Sequence, residues 1–395
     1  MIGRALSRKG VTGAANLVDP ASVPWSLDWD AWLRGGQGGS VSEAVGVPAL
    51  LATLLRLGQG VGMAPQKVYT AAPGRRMEAR DSWQWRLLHD RPCDGVPPAT
   101  FFGNLAIQVA GVGYGCVRMW PASSGRVVDL EVLDSTKVKP KVENGLLVFE
   151  DSTGAPGSPV VRDASEIIYV PAVSLDGGPV GMSPISVQRV AVQAALRRQR
   201  FEHDHYANNA RAGVVLQGPA DAGPSEVQEY VDLWDMAHQG KPGKTAGIGG
   251  GFTVTTMPVS LEDAQFVESN QWTASQFGAV YGIPRAFQNI GDNAPTELDW
   301  RFFVTFALGP LTTTIAQSFN ANRVLFPESA GLMTEHVTDA LLKPDIVKRY
   351  EAYKAARQAG WQTSNEIRGL ENLPPHPDGD VLQVIPVGGG AAPVA

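Results

Sequence analysis

Apolar positions recur at helical spacing in several long stretches of this chain and alternate over short runs between them. The pattern predicts helices bracketing a strand-rich region. Over residues 41–62, Val45, Ala49, Ala52, Leu55 and Gln59 fall three or four apart, a helical stripe that is apolar except at its end. Residues 67–70 read as a strand and 81–88 as a short helix stopped before Pro92. Over residues 99–108, Phe101, Phe102, Leu105 and Val109 share one helical face. Gly111, Gly113 and Gly115 then lead into predicted strands at 116–120, 127–133, 137–142, 146–150 and 166–170. Residues 65–180 are therefore expected to form an α+β domain.

Beyond this domain the period lengthens. Ser183 before Pro184 is a strong helix start. A helix from there to residue 208 would reach about 39 Å. Val187, Val190, Ala191, Ala194, Ala195, Phe201 and His205 lie within about one of its faces. A strand at 214–217, a helix at 224–239 and a strand at 252–257 make a β-α-β insert before a second long helix, 263–282, which Gly282-Ile283-Pro284 ends. A polar, glycine-bearing hinge at 288–295 precedes a third helix, 296–320, in which Leu308-Gly309-Pro310 predicts a kink. A helix at 344–358 and a capping box from Thr363 to Glu366 follow. Residues 1–40, with Trp25, Trp29 and Trp32, read as a mobile N-terminal arm, and the Pro/Gly-rich tail from 374 as frayed.

Composition narrows the class. The 395 residues suffice for two or three domains, and 44% hydrophobic with 18% charged residues, 44 Gly and 29 Pro describes a folded, loop-rich chain. The formal charge of −6 provides no global basic field, which argues against gripping DNA by phosphate neutralisation but not against enclosing it. Cys93 and Cys116 have no zinc spacing and read as reduced thiols. No signal-peptide pattern opens the chain, and its most apolar run, 44–55, is too short to span a bilayer. The expected setting is cytosolic or particle-bound.

Candidate chemistry is sparse. Gly243-Lys244-Thr245 invites a nucleotide-binding reading, but a P-loop needs glycine where His238 stands, and Gly247–Gly251 and a strand follow in place of a helix. A flexible basic tip carrying Lys241 and Lys244 fits better. His203 and His205, two apart on a helix, do not share a face for a metal. Arg197, Arg198, Arg200 and Arg211 cluster either as a solvated or intersubunit face or as contacts to DNA phosphates. Gln288, Asn289, Asp292 and Asn293 mark the hinge, where such residues also simply form turns. Glu262, Asp263 and Glu268 complement a helix start. No catalytic triad or Cys/His arrangement appears, so the stretch 261–310 reads as a mechanical or binding element.

The ordered motifs resemble one family. Leu87-Leu88 with Arg91-Pro92, Phe101 through Gly113-Tyr114, and the run from Asp176 to Ile185 containing Gly181-Met182-Ser183-Pro184 come first. Glu262 through Glu268, Gly282-Ile283-Pro284, Thr296-Glu297, and Gly360 with Thr363 and Asn365-Glu366-Ile367-Arg368 follow. Together they resemble the portal (head–tail connector) proteins of tailed double-stranded-DNA bacteriophages, in the siphophage-type branch. Gly115 and Cys116 depart from the family's usual residues, and residues 1–40 carry none of the resemblance.

The resemblance implies an α+β portal fold with wing, stem, clip and crown regions, assembled as a homo-oligomeric ring, usually of twelve copies, at one capsid vertex. It implies wing residues 41–182, stem helices 183–210 and 260–285, a clip at 211–259, a channel loop at 286–296, a kinked wing helix and following segment at 297–342, and crown-side helices at 343–373. The expected partners are the major capsid protein, the large terminase, head-completion or adaptor proteins, and double-stranded DNA passing without sequence specificity. No membrane, metal or cofactor is implied, and the protein itself is expected to hydrolyse nothing. Its expected location is the virion, reached from the host cytoplasm. The alternatives are a nucleotide-dependent enzyme using Gly243-Lys244-Thr245, a tail adaptor, or the portal of a gene-transfer particle.

Overall fold

The computed structural model describes residues 44–70, 76–154, 158–174, 177–207, 214–219, 222–238, 251, 253–256, 263–288, 294–342, 346–371 and 373–382. The predicted N-terminal arm and the end of the tail lie outside them. The chain divides into two compact units, Met1–Val337 and Thr338–Ala395.

In the first unit, helix α1 (Pro48–Met63) packs on helix α3 (Pro98–Val112), with the short helix α2 (Trp83–Trp85) between them in sequence. Glycines set the closeness of the pair. A Cβ on Gly103 would come within 2.9 Å of the Gly58 carbonyl oxygen, and one on Gly62 would collide with the carbonyl of Ala99. This small-residue contact turns α1 away from the expected orientation. It buries Leu50, Leu54, Leu57 and Val61 and leaves Leu55 and Gln59 exposed. The stripe inferred from Val45, Ala49, Ala52, Leu55 and Gln59 is thus displaced, because backbone approach, not apolar count, chose the face.

Gly113, in the left-handed region at φ 94°, ends α3 and turns the chain into strand β2 (Tyr114–Pro121). With β3 (Val127–Leu133) and β7 (Ile167–Pro171), β2 forms an antiparallel sheet of order β3-β2-β7. A second antiparallel sheet has order β4-β5-β6, from Val138–Glu143, Leu146–Asp151 and Val160–Asp163. Cys116, Leu133 and Ile167 of the first sheet meet Val138 and Phe149 of the second in one buried cluster, and the Tyr114 hydroxyl donates to the Val138 carbonyl across it. Both cysteines are free, and burial pushes the Cys116 thiol up to about 12. The strand β6 has no counterpart in the sequence pattern.

A long-range pair closes the unit. Strand β1 (Gln66–Thr70) runs antiparallel to β10 (Leu332–His336), with Gln66 opposite His336. Buried polar groups fasten it: the Gln66 amide donates to Thr334 Oγ1, which donates to the Lys67 carbonyl, while Asn320 exchanges two hydrogen bonds with the Thr334 backbone. His336 Nδ1 donates to the Ala64 carbonyl, and its ring meets Phe102 edge-on. Desolvation holds the imidazole neutral, its pKa lowered to about 4.

The expected helix 183–208 is interrupted. Ser183 caps α4 (Pro184–Val187), a turn follows at Gln188, and α5 (Arg189–Ala207) continues for about 28 Å. Strands β8 (Val214–Gln217) and β9 (Thr253–Thr256) pair antiparallel, with α6 (Pro224–His238) between them in sequence, and α7 (Asp263–Val280) follows. The third helix runs Glu297–Ala321 as α8 (Glu297–Phe302), a π-helical turn (Phe303–Leu308) and α9 (Gly309–Ala321). It is long and apolar enough to cross a bilayer by length and composition, yet Phe303, Val304, Leu308, Ile315 and Phe319 are buried in the fold. The irregularity falls one turn before Gly309-Pro310, since Pro310 has no N–H for the Phe306 carbonyl and the helix widens there.

In the second unit, α10 (Ile346–Gln358) is followed by α11 (Ser364–Leu370), whose Thr363–Glu366 capping box is fully formed. Arg349 and Tyr353 both bind the Glu371 carboxylate. Asn365 ties the backbone of His376 and the side chain of Asp380 to the start of α11.

Candidate functional site

The site singled out in sequence is built from α5, α7 and the long helix. Arg198 Nη1 donates to Thr273 Oγ1 at 2.7 Å, so this arginine joins α5 to α7. Arg197 and Arg200 are exposed, and Arg200 lines a shallow cavity with Gly46, Leu196, Gln199 and His203. The basic cluster therefore separates into a helix-linking member and two surface members. Arg211, Lys241 and Lys244, with the Gly243-Lys244-Thr245 tripeptide, lie outside the described residues.

The apolar arc of α4 and α5 behaves differently from its expectation. Val192 and Ala195 are buried, whereas Val187, Val190 and Phe201 are 50%, 73% and 49% exposed. Along α5, Ala194 is four residues on from Val190 and Phe201 eleven, so these three follow one helical stripe, while Val187 lies on α4 before the turn at Gln188. Within one chain only an edge of the predicted face is covered. Leu298, Phe302 and Phe306 likewise project from the long helix, with the Phe302 and Phe306 rings stacked at 5.5 Å.

The turn after α7 is firmly built. Gly282, at φ 67°, reverses the chain, and a Cβ there would come 3.2 Å from the Phe306 carbonyl oxygen. The Tyr281 hydroxyl donates to the Ala110 carbonyl, and burial raises its pKa well above the usual phenol range. Phe277 and Ile283 are buried. A 3₁₀ turn, Arg285–Gln288, sets Phe287 against Trp300 at 4.9 Å edge-on and against Phe303 at 5.0 Å stacked. The Phe287 contact couples the entry to the hinge with the helix that leaves it. At the exit, Thr296 and Asp299 form a capping box that starts α8, and the hydrogen bonds from Thr296 lower the Asp299 pKa.

Of the four hinge residues assigned to the expected channel loop, only Gln288 is described; Asn289, Asp292 and Asn293 lie outside. Its side chain folds inward. The amide Nε2 donates to the Ile283 carbonyl at 2.8 Å, and the headgroup occupies the space over Gly278 that a Cβ would need. Its Oε1 is buried without a hydrogen-bond partner. Sequence reasoning missed this seat and the Phe287–Trp300–Phe303 cluster. The available signals were a glycine inside an otherwise regular helix and aromatics on both sides of a polar hinge.

Among the described residues, no three His, Cys, Asp or Glu side chains gather as a metal site. What the arrangement offers is two linked long helices, a braced loop base and uncovered apolar stripes.

The family model described as phage portal protein matches residues 49–372. The probable portal protein of Streptomyces phage phiC31 is 25% identical over 359 residues, covering 85% of this chain and 77% of that one. The structure of an HK97 family phage portal protein from Corynebacterium diphtheriae is similar with a TM-score of 0.58 at 16% identity, over 77% of this chain and 98% of that one. A chain from the neck of a native gene transfer agent particle, computed with C12 symmetry, is similar with a TM-score of 0.56 at 20% identity, over 89% of this chain and 94% of that one.

Proposed function

The chain belongs to the phage portal protein family, and from that premise we propose that its copies close into a ring whose bore carries double-stranded DNA into and out of a capsid. The role is structural. The carrying observation is the uncovered apolar stripe on α5, together with exposed Val187 on α4 and a second exposed apolar row on the long helix. Such rows are costly to leave in water, and neighbouring copies would cover them. The C12 symmetry of the gene transfer agent neck supports a twelvefold ring of this kind.

In this reading α5 and α7 are the stem, residues 211–259 the clip that docks the large terminase and later head-completion proteins, and residues 286–296 the channel loop. Lys241 and Lys244 sit at the clip tip. The major capsid protein surrounds the wing, residues 41–182 with 297–342, and residues 343–373 lie on the crown side. The acidic balance of each subunit suits a conduit, since every phosphate contact would retard moving DNA. Arg198 is occupied with Thr273, which leaves Arg197 and Arg200 as the described arginines of the cluster on the surface.

Deleting residues 291–294 tests the loop assignment. Rings should still assemble, while packaged genome length or retention falls. Normal packaging and retention by the deletion would refute the assignment.

A further inference from the structure

Gly278 lies inside α7, and its φ is not in the left-handed region, so backbone conformation does not require glycine there. A glycine inside a helix is unfavourable relative to alanine. Its reason here is space. A Cβ on Gly278 would occupy the position of the Gln288 amide. That amide reaches back five residues to the Ile283 carbonyl, while the Ile283 N–H donates to the Gly278 carbonyl at 2.9 Å and the Phe287 N–H to that of Pro284 at 3.0 Å. Notch, turn and amide form one closed unit. Phe287, the next residue back, is held by Trp300 and Phe303.

We propose that Gln288, seated in the notch over Gly278, is a positioning residue that fixes where the chain leaves α7 for the loop, and so sets the loop's stance toward DNA. This rests on the reading of residues 286–296 as a channel loop. The amide plays no part in contacting DNA; its contribution is to keep the loop base from swinging when the loop is pushed.

The two positions are complementary in size, which makes the idea testable with Gly278→Ala, Gln288→Ala and the double variant in assembled, full-length rings. Hydrogen exchange read by mass spectrometry on a peptide covering 281–288 reports the seat directly. Gly278→Ala expels the amide and should speed exchange of that peptide by about tenfold, the effect of losing one buried hydrogen bond. Gln288→Ala creates no clash and should do the same, which keeps the test alive if Gly278→Ala fails to fold. The double variant should match Gln288→Ala alone, because the new methyl enters vacated space; this non-additivity is the signature of a shared seat. Exchange unchanged in both single variants, or a double variant worse than either, overturns the proposal. The fraction of DNA-filled particles is the second readout. Faster exchange with normal filling would uphold the seat and reject the channel-loop reading, whereas unchanged exchange rejects the seat whatever the filling.

Discussion

His336 gives the fold a measurable acid sensitivity. Its ring is buried between Ala64 and Phe102 in the ladder that joins β1 to β10, and its pKa is lowered to about 4 from an ordinary 6.5. A depressed imidazole pKa means that the unfolded chain takes up the proton first as pH falls. Stability is therefore unaffected above about pH 7, declines through the window from 6.5 to 4, and levels off below it. The shift of about 2.5 units corresponds to roughly 3 kcal/mol in full, most of which is lost by pH 4.5. Urea denaturation of the full chain at several pH values between 7.5 and 4.5, compared with His336→Asn, isolates this contribution. Asp151 and Glu78, whose pKa values are lowered, also lose stability in acid, but equally in both proteins. The variant should be less stable at pH 7.5 and show a shallower decline. Parallel declines would mean that the buried, neutral histidine is not the cause and would refute the reasoning.

Two further outcomes follow from the packing. Gly62→Ala should destabilise the first unit by about 2 kcal/mol, because the new methyl meets the Ala99 backbone, which cannot give way as a side chain can; denaturant midpoints check it. Arg198→Met should lose about 1 kcal/mol through its bond to Thr273, whereas exposed Arg197→Met should stay within about 0.5 kcal/mol of wild type. Equal effects of the two would remove the helix-linking role.

Much of the architecture was legible from periodicity. The strand at 127–133, the paired strand at 214–217, the start of α7 at 263 and the capping box at Thr363 occur where the pattern put them. Their signals are local: alternation, a cap, a turn. Several misses share a cause, a partner distant in sequence. Strand β10 is five residues of mixed polarity that become a strand only because β1 lies beside them. The face of α1 was decided by the glycine contact with α3 rather than by counting apolar positions. The apolar arc of α5 was visible, but periodicity cannot say whether the covering surface belongs to the same chain. Within the site, the order of helix, insert, helix, hinge and helix was legible. The inward turn of Gln288 was not, since its determinant is an absent side chain ten residues earlier.

The central claim is that copies of this chain bury the exposed Val187, Val190 and Phe201 against one another in a closed ring. Electron microscopy of the purified full-length protein, with particle mass measured on the same sample, tests it most directly. Closed rings with a central bore and twelvefold rotational symmetry are expected. Particles that remain monomeric, alone and with capsid and scaffold proteins present, would contradict it.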